Sequence, residues 1–122
     1  MPSTSIYAAL PLLLHTTLAQ TTQTIAVGEN GLVFTPDSLT APVGSQVEFQ
    51  FYPRNHSVVS SAFGNPCQPD GKVFSGYMAV SSGTGPDVFV VTINDTNPIC
   101  ESLFFNILTH CQAGMVGVIN PP

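Results

Sequence analysis

Basic side chains are almost missing from this sequence: Arg54 and Lys72 are the only two in 122 residues. Nucleic acids and anionic membrane surfaces are held by clustered cations, so neither is an expected partner. Charge of either sign is scarce, at 7% of residues with a formal net charge of −5, against about 25% in an average soluble protein. Solubility must come from Ser, Thr, Asn and Gln. No apolar run comes near the roughly 20 residues that a membrane-spanning helix requires. A helical period is lacking too, which excludes an α-helical bundle. Catalytic signatures are equally scarce. No G-x-S-x-G elbow occurs, and Ser81–Gly85 ("SSGTG") lacks the Lys of a phosphate loop, so an enzyme is not expected.

What is present begins with a leader. Met1–Ala19 carries an apolar stretch from Ile6 to Leu14, and small residues precede a cleavage point before Gln20. The expected organisation is a signal peptide over residues 1–19 and one domain over residues 20–122, secreted to the extracellular space or cell wall and monomeric. The chain stops at Asn120-Pro121-Pro122 without a polar spacer and hydrophobic tail, so no lipid-anchor signal is expected within it. Two sequons, Asn55-His56-Ser57 and Asn94-Asp95-Thr96, fit secretion and mark Asn55 and Asn94 as glycan acceptors. Three cysteines in a secreted chain make one pair and leave one over, as a metal thiolate, an intermolecular bridge or a buried thiol.

Apolar residues recur with period two, which predicts an all-β domain. The clearest case is Gln46–Tyr52, where Val47, Phe49 and Phe51 alternate with polar neighbours. Asp87–Ile93 is the next. Further strands are predicted at Thr22–Val27, Leu32–Phe34, Ser38–Ala41, Ser57–Ser60, Gly76–Ala79, Glu101–Asn106 and Val116–Ile119. Short strands at this spacing predict a two-sheet sandwich of Greek-key type.

Outside the leader only two imidazoles remain, His56 between two strands and His110 in the last interstrand loop. Met115 follows His110 after Gly114. Blue-copper sites combine two imidazoles, a thiolate and a weak axial Met, because nitrogen holds Cu(II) while sulfur favours Cu(I).

The stretch Gly28–Pro69, "GENGLVFTPDSLTAPVGSQVEFQFYPRNHSVVSSAFGNPCQP", resembles the extracellular cupredoxin-like, often serine-rich, proteins of fungi. "FSGYMAV", "VTINDTNPI" and "HCQAGMVGVINP" extend the resemblance over nearly all of the domain. It implies a cupredoxin fold similar to plant phytocyanins and one type 1 copper. The implied ligands are His56, a cysteine of the late loop, His110 and Met115, with an electron-transfer or copper-holding role. It also implies a disulfide between Cys67 and Cys111, which leaves Cys100 as the thiolate.

The position of Cys100 departs from the pattern, which places the cysteine at the end of an aromatic strand about four residues before the His. If "ESLFFNIL" is that strand, Cys100 stands at its start, roughly 20 Å from the metal end at about 3.3 Å per residue. Asn106, which has no thiolate, then occupies the cysteine's place. In the other register Cys100 ends a short strand and the following residues bulge out, exposing Leu103, Phe104 and Phe105 at about 25 cal/mol per Å². A third reading is a misassigned exon: Cys-Glu-Ser can be encoded through GTGAGT and Leu-Thr through CTGAC. A transcript running uninterrupted through codons 98–110 eliminates it. Two functions follow from these readings. One is a blue-copper protein with a redox partner; the other is a copper-free or weakly Cu(I)-binding module that contacts a cell-wall component. Met78, Phe63, Phe74 and Tyr77 are expected to pack in the core, although the three aromatics could instead rim the copper loop.

Overall fold

The computed structural model describes residues 2–5, 11, 21–102 and 109–122. Most of the expected leader and Asn106 therefore lie outside the described residues. The first strands are β1 (Thr22–Val27), β2 (Phe34–Thr35), β3 (Ser38–Leu39), β4 (Gln46–Phe51), β5 (Arg54–His56) and β6 (Val59–Ser61). They are followed by β7 (Pro69–Phe74), β8 (Met78–Val80), β9 (Val88–Thr92), β10 (Ile99–Ser102) and β11 (Val116–Ile119). A single helical turn, α1 (Thr109–Gln112), precedes β11.

One sheet has the order β2-β1-β4-β9 and the other β3-β11-β10-β6-β7, while β5 and β8 form a separate ribbon. This is the two-sheet sandwich that the period-two pattern predicts. Its core follows from the alternation: in β4, Val47, Phe49 and Phe51 are buried while Gln46, Glu48 and Gln50 are only partly covered. Parallel pairing with β1 sets Ile25 beside Phe49 and Val27 beside Phe51, so both strands bury the same face. Phe34 meets Phe49 edge-to-face at 6.4 Å between ring centres, worth about 0.5–1.5 kcal/mol beyond its buried area.

Asn120 fixes the last strand. Its Oδ1 accepts from the Ala41 backbone N–H at 2.7 Å and its Nδ2 donates to the Ala41 carbonyl at 3.0 Å. The side chain thus continues the ladder past the end of β11 and holds the strand that begins next to Met115.

Three elements depart from the sequence expectation, the first being β5, which takes Arg54–His56 into a strand where His56 was expected between strands. The strand β7 falls where no alternation was seen, because five of its six residues are exposed. It is an edge strand, held at a bulge by Ser60, whose hydroxyl donates to Asp70 Oδ1 at 2.5 Å and accepts from the Val73 N–H at 2.8 Å. The strand expected over Glu101–Asn106 begins earlier, at Ile99, and residues 103–108 lie outside the described part. Phe63, Phe74 and Tyr77 are more than half exposed, not packed in the core as expected. Phe74 and Tyr77 meet edge-to-face at 6.0 Å, so each covers part of the other rather than core surface.

Candidate metal centre

His56 closes β5 opposite Met78 of β8 and is only 4% exposed. Its Nε2 lies 3.1 Å from the Pro53 carbonyl oxygen. A carbonyl can only accept, so Nε2 carries the proton and Nδ1 carries the lone pair. That Nδ1 is buried and has no hydrogen-bond partner. Burial lowers the pKa of His56 below its usual 6.5; the Pro53 hydrogen bond opposes the shift and the nearby His110 charge adds to it. The ring is thereby kept neutral, the form that binds a metal.

Gly28, just past β1, makes room for this ring. Its φ is +78°, and a Cβ placed there would collide with the imidazole of His56. Gly28→Ala is expected to cost at least about 1 kcal/mol from the left-handed backbone and to displace the ring as well. Urea denaturation together with a Cu(I) titration checks both effects. An unchanged affinity in the folded variant would show that the fit around His56 does not matter to the metal.

His110 arrives from the opposite end of the chain, with its ring centre 5.9 Å from that of His56. The two rings border one cleft of about 280 Å³, shared with Asn55, Leu32 and Gly28. Local chain geometry presents His110. The helical turn ends with Gly114 at φ +98°; Gly114 N–H donates to the Cys111 carbonyl at 2.9 Å, and Met115 N–H donates to the His110 carbonyl at 3.0 Å. This is the Schellman termination, in which the residue after the glycine sits beside the residue five places earlier. The spacing His110-x4-Met115 is therefore a consequence of how the turn stops. Met115 is fully buried.

Cys111 lies inside the same turn and is bonded to Cys67, with Cα atoms 5.7 Å apart. The pairing implied by the family resemblance is the one present. It ties the His110 turn to the loop before β7.

Cys100 is placed elsewhere. In β10 it stands opposite Val118 of β11 and Ser61 of β6. Directly paired residues share a face, and successive residues alternate. Val118 points away from the face of Met115 and Ile119, which are both fully buried in the core. Cys100 therefore faces out with Val118, lining a different cleft with Ser61, Phe63 and Val116. The structure brings together His56, His110 and the backbone of Met115, and it does not bring Cys100 to them. Among the described residues no group of three or more His, Cys, Asp and Glu side chains converges.

The pKa of His56 has a consequence for the metal-free domain. Between the lowered folded value and 6.5 the unfolded chain binds more protons, so stability rises with pH across that window and is lost as pH falls below about 6.5. Thermal melts at about pH 7.5 and about pH 5 are expected to show a smaller acid-induced loss in His56→Gln than in the parent. Equal losses would assign the acid sensitivity to other groups.

Comparisons with known proteins bear on the fold. No family model matches the chain. A "Probable GPI-anchored cupredoxin-1" of Arthroderma benhamiae is 37% identical over 105 residues, covering 85% of this chain and 53% of the relative. An "Extracellular serine-rich protein" of the same fungus is 35% identical over 101 residues, covering 80% of this chain and 38% of the relative. The chain thus spans about half or less of the curated relatives it matches. Among solved structures, a purple cupredoxin from Nitrosopumilus maritimus has a TM-score of 0.60 at 16% identity, covering 79% of this chain and 95% of that one. Plastocyanin from Dryopteris crassirhizoma has a TM-score of 0.53 at 21% identity, covering 80% and 97%. The fold is that of a cupredoxin. Within that class, this chain is a domain of the kind found in the fungal extracellular cupredoxin-like proteins.

Proposed function

We propose that this domain holds one copper ion, chiefly as Cu(I), outside the cell, on His56 and His110 with Met115 as a third, softer donor and without a thiolate. The observation that carries this reading is the buried, unbonded Nδ1 of His56, whose proton is fixed on Nε2 and whose ring lies 5.9 Å from that of His110. An uncompensated nitrogen in that setting costs about 1–3 kcal/mol, and a metal ion offsets that cost. Imidazole with thioether suits Cu(I). The extracellular relatives support the location.

A blue-copper site needs a thiolate, and the chain has none to offer on this face. Cys67 and Cys111 are bonded to each other, Cys100 faces out, and residues 103–108 contain no cysteine. Copper would be held, and a bound copper would supply one-electron chemistry that these residues tune only through softness and burial. Competition of the copper-free protein against a Cu(I) chelator tests this, with one equivalent retained as the expected result. Complete loss of copper to a weak chelator would leave the domain as a scaffold for binding cell-wall material.

A further inference from the structure

The two sequons occupy opposite kinds of place. Asn55 lies inside β5, paired with Ala79 of β8, and its Oδ1 is buried without a hydrogen bond in the wall of the histidine cleft. Asn94 is exposed in the turn between β9 and β10. In that turn the Asp95 carboxylate accepts from the Asn97 N–H at 2.9 Å. The middle residue of the sequon thus braces the turn, while Asn94 and Thr96 stay exposed.

Asn94 itself lines a groove of about 430 Å³, which shares no lining residue with the histidine cleft. Its lining mixes one large apolar surface with polar groups: Phe63, 58% exposed, together with Asp70, Lys72 and Asn97. An exposed ring flanked by a carboxylate, an ammonium and an amide fits a pyranose. Such a sugar has an apolar C–H face for the ring and a rim of hydroxyl and amide groups for the polar side chains.

We propose that Asn94, and not Asn55, carries an N-linked glycan, and that its first N-acetylhexosamine lies in the groove against Phe63. The donor is a lipid diphosphate-linked oligosaccharide. Asn94 Nδ2 bonds to C1 of the first sugar, and the C1–O bond to the diphosphate breaks. The diphosphate leaves with that electron pair, and the amide releases one proton. The proposal rests on the extracellular location. It leaves the copper cleft clear, whereas Asn55 is itself part of the lining of the cleft that His56 and His110 border.

The test is expression of the full chain in a eukaryotic secretory host, once with its own leader and once behind the host's. Intact mass before and after enzymatic deglycosylation is expected to show one glycan, absent from Asn94→Gln and kept by Asn55→Gln. Protein recovered from the medium without a glycan, or with one that only Asn55→Gln removes, overturns the assignment. Secretion behind the host leader alone counts against the chain's own leader and leaves the glycan result readable. Seating in the groove is read by NMR. The N-acetyl methyl of the first sugar is expected to shift upfield from its free-glycopeptide position and to return there in Phe63→Leu. A methyl at the free position in the parent protein overturns the seating.

Discussion

His56→Ala and His110→Ala are each expected to lower Cu(I) affinity by on the order of 100-fold or more, the upper end of what loss of even an outer-shell partner costs. Cys100→Ser is expected to leave the affinity within about twofold, since a residue on the other face makes no contact to lose. The same geometry predicts the optical result. Protein loaded with Cu(II) lacks the intense visible band that a thiolate–copper bond produces. Competition titrations and an absorption spectrum of the three variants check both parts. An intense band that disappears in Cys100→Ser would mean that β10 unpairs to deliver its thiol, and it would sink the thiolate-free site. The transcript through codons 98–110 bears on the same point. A message lacking codons within Cys100–Thr109 would encode a different approach to His110.

Removing the disulfide is the second large effect. Cys67 and Cys111 are separated by 44 residues, and constraining a loop of that size in the unfolded chain stabilises by about 4 kcal/mol in the chain-entropy picture. The double variant Cys67→Ala/Cys111→Ala is expected to lose about 2–4 kcal/mol in urea denaturation. Both cysteines are replaced together because a lone Cys111 thiolate beside His110 would be a new soft ligand. Copper affinity should fall as well, since the bond tethers the one-turn helix that presents His110. Undiminished affinity in the folded double variant would show that the Schellman turn holds His110 unaided.

Much of the site's local grammar was legible from the residues. The His110 to Met115 spacing with Gly114 between them was readable as a metal-binding loop, whereas the structure showed that this loop is a single helical turn stopped by Gly114 in the left-handed region. Gly28 was different. Its reason for being glycine is the His56 ring, which the chain order gives no hint of. The edge strand Pro69–Phe74 escaped because an edge strand with both faces wet has no apolar alternation to read. The aromatics Phe63, Phe74 and Tyr77 were expected inside and lie outside, because hydrophobicity reports a preference and not the face of the element that carries it.

By itself the sequence determined the fold class. Side chains on a strand alternate with period two, so Val47, Phe49 and Phe51 commit Gln46–Phe51 to a half-buried strand whatever its partners. Tertiary structure alone decided which cysteine faces which side. A register shift of one residue sends every side chain of a strand to the opposite face. The pairing of Cys100 with Val118 therefore set its thiol apart from the histidines, and nothing in the local sequence fixes that parity. The same holds for the approach of His56 to His110. It depends on where the β5 ribbon meets the final turn, a contact between distant parts of the chain that only the closed sandwich creates.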